Sequence, residues 1–201
     1  MPLWSSAILF SLAANLDNIV IGLAYGTKQI RVSTAVRLFI ALITGIGTIA
    51  SLALGGWLAG LFPPKLAAHL GSGVLVFLGT YFIVRSGLQT HRERLLAAKG
   101  MEEMELYAKR SDRDNSGDIN GREAFAVGLS LTLNNFGAGI AASAAGASLF
   151  LTTIVTFVFS FLLLTLGLFL GAHVLGRFLG RYAPFVSGLL LTVQGLIWLI
   201  V

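Results

Sequence analysis

Six apolar runs, each long enough to cross a bilayer, constrain this chain more than any other feature of its sequence. They cover roughly residues 3–25, 34–62, 66–84, 124–147, 149–172 and 182–201. A helix needs about 20 predominantly apolar residues to span a hydrocarbon core about 30 Å thick. Inside lipid every backbone N–H and C=O must be satisfied within the segment, so runs of this length read as helices. The expectation is an all-α integral membrane protein with six transmembrane helices. Composition agrees, with 56% hydrophobic and 11% charged residues and a mean hydropathy of +0.84; a soluble domain carries about twice that charged fraction. Pro63-Pro64 separates the second run from the third. Residues 146–148 make a short uncharged join between the fourth and fifth, and 85–123 is the one long polar segment. No Lys or Arg precedes Lys28, so the basic start of a signal peptide is missing and the first run is expected to remain a helix in the membrane.

The basic residues give an orientation. With six spans, the first, third and fifth loops share one side. That side holds Lys28, Arg31, Arg37, Arg85, Arg92, Arg94, Lys99, Lys109, Arg110, Arg113, Arg122, Arg177 and Arg181, thirteen of the fourteen, with Lys65 alone opposite. The positive-inside rule then puts both termini outside the cytoplasmic membrane and residues 85–123 in the cytoplasm. A net charge of +5 is therefore topogenic and implies no nucleic-acid partner. With no cysteine, a disulfide framework and a thiolate metal site are both excluded.

Asp17 is the only acidic residue in any apolar run; the other eight, from Glu93 to Glu123, lie in the polar segment. A carboxylate at membrane depth costs about 2.5–3.5 kcal/mol on insertion scales, so it reads as functional. The stretch Leu16-Asp17-Asn18 to Ala24 aligns with Leu133-Asn134-Asn135 to Ala141 at a constant offset, and Gly56-x-x-x-Gly60 answers Gly167-x-x-x-Gly171. An odd number of spans per repeat makes the halves inverted, an architecture that places transporter sites at the midplane between repeats. The expected division is a first three-helix repeat over 1–84, a linker over 85–123 and a second repeat over 124–201. Asp17, Asn18, Asn134 and Asn135 would then meet near the bilayer centre as an ion site. The blander reading of the amides is interhelical hydrogen bonding, and of the glycine pairs, including Gly22/Gly26 and Gly176/Gly180, close helix packing. The donors are hard oxygens. Met1, Met101 and Met104 lie outside the mid-membrane stretches, and His69, His91 and His173 fall at loops or helix ends. Manganese, calcium, magnesium or a monovalent cation therefore fit better than copper or zinc.

In the polar segment, residues 112–123 match the twelve positions of an EF-hand loop. Asp112, Asp114 and Ser116 stand at positions 1, 3 and 5, Gly117 at 6, Asp118 at 7, Asn120 at 9 and Glu123 at 12, with apolar Ile119 at 8. A divalent cation, Ca²⁺ or Mn²⁺, is the expected ligand; a solvated Asp/Asn/Gly linker is the alternative. Residues 92–110 read as a charged entering helix, and the fourth membrane helix would be the exiting one. Eleven residues from Glu123 to Asn134 rise about 16 Å, close to half the membrane thickness. A loop metal would thus sit at the mouth of that helix, either sensing cytosolic metal or gathering cargo.

Together these residues resemble the MntP-type manganese efflux pump family of the lysine-exporter superfamily, and within it the YtaF-like subgroup of sporulation membrane proteins. The likeness covers nearly the whole chain, from Leu16-Asp17-Asn18 and its Tyr25-Gly26 end through the loop to Glu123-Ala124. It implies six helices and manganese export through acidic residues in the first and fourth helices. The first maps onto Asp17; the second falls on Asn134, which removes one of the two charges. The resemblance implies a secondary exporter of a hard divalent cation, manganese first, with the metal ion and the lipid bilayer as partners and a homo-oligomer left open. No Walker sequence and no nucleophile–base set occurs, so neither ATP, an organic cofactor nor enzymatic catalysis is expected. Two other classes stand beside it: a calcium-responsive membrane regulator or scaffold that transports nothing, and an amino-acid exporter.

Overall fold

The computed structural model describes residues 3–92 and 108–171, with residues 189, 190, 192, 193, 196, 197 and 199 of the last run. The helices are α1 Leu3–Ala14, α2 Leu16–Thr27, α3 Thr34–Ala59, α4 Pro64–Arg92, α5 Gly121–Ala144 and α6 Leu149–Gly171. Among the described residues three stretches are long and apolar enough to cross a membrane: Trp4–Thr27, Thr34–Ala59 and Leu149–Gly171. A fourth joins them if Gly121–Leu133 and Asn135–Ala144, which meet at 46°, are taken as one bent span. The chain is a helical membrane protein. The sixth expected span, the charged helix before the loop at 93–107, His173 and the Gly176/Gly180 pair lie in large part or wholly outside the described residues.

Local chemistry sets the helix ends. Ser33 caps α3 by accepting from Val36 N at 3.3 Å, and Pro64 opens α4, where its missing N–H costs nothing. Asn120 caps α5: its side chain accepts from Arg122 N and Glu123 N, and the Glu123 carboxylate accepts from Asn120 N at 3.0 Å in a capping box. At the other end of α5, Gly146 N donates to Ser143 O and Ala147 N to Ala142 O, with Gly146 at φ +103. These are the two bonds of a Schellman stop, and only glycine takes that φ without strain. The uncharged join is thus a formed helix terminus.

The first run departs from the single helix expected of it. Asn15 separates α1 from α2, with φ −113 and ψ 8. Its side-chain amide donates to Ser11 O at 2.7 Å, the carbonyl that its own backbone N–H would otherwise take. The backbone N–H turns instead to Leu12 O, and Asn18 N to Asn15 O, so the helix tightens by one residue and restarts.

α3 packs most extensively on α5, α2 and α1 on α6, α3 on α6, and α4 on α5. Small residues permit the closest approaches: a Cβ on Gly167 would meet Ile19 O at 2.5 Å and Gly22 Cα at 2.9 Å. On α6 polarity is turned inside out. Thr152, Thr156, Ser160, Leu164, Gly167 and Gly171 form its buried stripe, whereas Phe150, Ile154, Val158, Leu162, Leu166 and Phe169 are exposed. An apolar outer face and a hydroxyl-bearing inner one suit a helix whose outside meets lipid. The loop after α2 and the loop before α5 lie at the same end, joined by an isolated bridge: Arg31 N donates to Gly117 O at 2.8 Å and Ile119 N to Arg31 O at 3.0 Å.

Candidate functional site

Asp17 occupies the first turn of α2, directly after the break at Asn15. Helix restarts present unpaired N–H groups and the positive end of a dipole, so the break gives a carboxylate at membrane depth a favourable position. Its Oδ2 accepts from Asn135 Nδ2 of α5 at 3.2 Å, and the same amide donates to Ala14 O, the last residue of α1. Thus Asn135, one residue past the bend of α5, ties together the break in the first run and the carboxylate that follows it.

Asn18 faces elsewhere, since neighbours on a helix do not share a face. Its Nδ2 donates to Asn15 Oδ1 and to Ser160 Oγ, both at 3.0 Å. Ser160 in turn accepts from Thr44 of α3 at 3.0 Å, and one turn away Ser11 meets Thr156 at 2.9 Å. The amide oxygen of Asn18 has no hydrogen-bond partner among the described residues, although the residue is only 1% exposed. A buried acceptor left without a partner costs about 1–3 kcal/mol. A small cavity of about 20 Å³ adjoins it, bordered by α1, α2, α3, α5 and α6. Of the four expected membrane residues, the structure therefore joins Asp17 to Asn135 and directs Asn18 into a hydroxyl network. The side chain of Asn134 lies outside the described residues.

The loop has its own geometry. Ligand atoms of Asp112, Asp114 and Glu123 all lie within 4.8 Å of one another. Asp112 accepts from Ser116 N and Gly117 N, both at 3.0 Å, and Asp114 from Ser116 N at 3.1 Å. Bonds from the Ser116 side chain first, and its backbone N–H second, hold the exposed Asp114 carboxyl below the ordinary value of 3.8. Glu123 accepts from Arg113 N at 2.7 Å while also closing the capping box. Gly117 turns the chain at φ +78. Three carboxylates, the Ser116 hydroxyl and the Asp118 carbonyl are a hard-oxygen set that fits a calcium- or manganese-type ion. Asn120 is committed differently: its Oδ1 caps α5, which leaves position 9 to act through water. Ile119, at 4% exposure, packs with Tyr25 of α2, Val32, Ala124 and Val127.

Sequence reasoning missed Asn15 and the hydroxyls. Their signals were present: a third polar residue beside Asp17, and Thr152-x-x-x-Thr156-x-x-x-Ser160 at helical spacing in an otherwise apolar run.

A helical membrane protein with one carboxylate and a set of amides and hydroxyls enclosed between its helices belongs, by class, with proteins that handle small polar solutes or ions. The comparisons narrow that class. A family model described as "Putative manganese efflux pump" matches residues 95–199. The "Probable sporulation protein YtaF" of Bacillus subtilis is 30% identical over 205 residues, spanning 95% of this chain and 97% of its own length. Two proteins named "Putative manganese efflux pump MntP" are each 28% identical: that of Halalkalibacterium halodurans covers 92% of this chain and 90% of itself, that of Shouchella clausii 74% and 69%. The chain belongs to the MntP/YtaF family. No solved structure matches it.

Proposed function

We infer that this protein exports a hard divalent cation, manganese first, through a site centred on Asp17 and Asn135 and flanked by Asn18 and Asn134. The observation that carries the reading is the Asp17–Asn135 pair: the one carboxylate of the apolar runs, at a helix break, bonded to the matching helix of the other half. Broken helices at membrane depth are where transporters gather ions. Family membership supports a metal as substrate. The inverted-repeat reading, six spans divided as 1–84, 85–123 and 124–201, draws support from the packing: α3 against α5 is answered by α6 against α1 and α2. Both termini would lie outside and the loop in the cytoplasm.

Residues 112–123 would bind Ca²⁺ or Mn²⁺ there. The bridge to Arg31 supports a regulatory role, because it ties the loop to the end of α2 as well as to the start of α5. Arg31→Pro would remove the N–H donated to Gly117, and Arg31→Ala would keep it; only the proline variant should lose the dependence of flux on loop metal. Equal behaviour of the two would discard the coupling.

The function is tested by manganese flux into proteoliposomes. Flux should fall to background in Asp17→Asn. A folded parent that carries no manganese under any gradient would remove the export reading. The second reading, a non-transporting calcium-responsive regulator, would then lead; it is favoured by Asn134 in place of an acidic residue, and the Bacillus subtilis relative is named for sporulation.

A further inference from the structure

We propose that the cavity beside Asn18 is a second cation site, made wholly of neutral oxygens and suited to one monovalent alkali cation of the sodium class. The proposal rests on the transport reading in one respect: the alkali ion would be the coupling ion exchanged against the divalent substrate.

The cavity holds a single occupant. At about 20 Å³ it has room for one water-sized species. Its walls carry Asn15, Asn18, Thr44, Thr48, Ser51 and Thr132 among their polar residues. Four hydroxyls in that wall donate to the backbone of their own helices: Thr44 to Ala41 O, Thr48 to Thr44 O, Ser51 to Thr48 O and Thr132 to Gly128 O, at 2.8 to 3.0 Å, with the Thr44 proton shared with Ser160 Oγ. A fifth, Thr156, meets Ser11 Oγ at 2.9 Å, where either hydroxyl can donate. Of the amide protons, one of Asn15 goes to Ser11 O and those of Asn18 go to Asn15 and Ser160. What remains to face the cavity is mostly lone pairs, and the buried Oδ1 of Asn18 has no partner among the described residues.

A lining of acceptors discriminates between occupants. Water would find acceptors for its protons but few donors for its oxygen, whereas a cation is satisfied by every group. Among the described residues no carboxylate lines the space. A divalent ion there would bring two charges to membrane depth uncompensated, while a monovalent one brings one to a hard-oxygen cage. Asn135 lines the cavity and bonds Asp17. Occupancy of the neutral site would therefore be felt at the carboxylate through one side chain.

The test uses the purified full-length protein in detergent, with thermal unfolding followed as NaCl, LiCl or KCl replaces choline chloride at constant ionic strength. A saturable rise in Tm with at least one alkali cation is expected. In Thr48→Val and Ser51→Ala its half-saturation should move up about tenfold, as loss of one ligand predicts. Radiolabelled sodium binding should saturate at one per chain, which serves as the readout if either variant fails to fold. Asp17→Asn should keep the alkali effect and lose manganese flux in proteoliposomes, a readout that metal bound at residues 112–123 does not mimic. Absent manganese flux in the parent would sink the export reading while leaving the alkali titration to judge the cavity. Identical Tm in alkali and choline salts, or an alkali effect unmoved in both wall variants, would overturn the proposal in favour of a bound water.

Discussion

The loop at 112–123 and the membrane centre around Asp17 are both built from oxygen ligands, yet they are built in opposite ways. The loop gathers three carboxylates, exposed Asp114 and buried Asp112 and Glu123, and orders them with backbone N–H groups. The membrane centre has one carboxylate, with amides and hydroxyls otherwise. Backbone donors explain the difference. Two like charges about 4 Å apart repel by about 1 kcal/mol in water and about 4 kcal/mol at an effective dielectric of 20. In the loop, the N–H groups of Arg113, Ser116, Gly117 and Asn120 offset that repulsion before any metal arrives. The membrane centre, with its one carboxylate, presents lone pairs instead. Under the proposed function the loop would hold an ion and the membrane centre would pass one.

That contrast is sharpest in its largest expected effect. Removing charge from the centre by Asp17→Asn should abolish manganese flux in proteoliposomes, while Asp114→Asn in the loop should leave more than half of it. Equal losses would mean that the two regions are one pathway rather than a site and its attachment.

Packing comes next. Gly167→Leu drives side-chain atoms into Ile19 O and Gly22, which are backbone and cannot yield cheaply. A loss of about 1–3 kcal/mol or more is expected, read as a lower Tm in detergent. Gly73→Ala, where nothing lies within 4 Å of an added Cβ, should leave Tm nearly unchanged.

A smaller effect separates the two jobs of the loop's last residues. Asn120→Ala removes the cap of α5 at a cost of about 1 kcal/mol, with all three clustered carboxylates retained. Glu123→Gln keeps an acceptor for the capping box but weakens a ligand, so it should reduce Ca²⁺ affinity more than Tm. Calorimetric titration of the two variants would reverse this order if Asn120 ligates directly.

The smallest effect is one of pH. The carboxyl of Asp114 is held below 3.8 in the folded loop by Ser116. A lowered folded pKa means that its contribution is present above the unfolded value and is lost as pH falls through the folded one. The change is confined to acid below about pH 4, as an NMR titration of the Asp114 carboxyl would show. In Ser116→Ala its midpoint should move up toward the ordinary value.

Much of this protein was legible in the chain alone. Lengths of apolar run determine where helices cross, because lipid offers the backbone no other partner. Asp17 stands out for the same reason, as the one carboxylate where charge is costly. The clustering of the loop's carboxylates was readable because they come from twelve consecutive residues, and so was the helix start beside it, since Asn120 and Glu123 cap within three positions. Tertiary structure decided the rest. Adjacent in sequence, Asp17 and Asn18 part company in space, one turning to Asn135 and the other to Ser160. Which hydroxyls share a cavity depends on the register of α6 against α2 and α3. That register is set by backbone approach at Gly22 and Gly167, and hydropathy has no record of it. The bridge between Arg31 and Gly117 is likewise made by main-chain atoms, which any sequence carries and only the fold brings together.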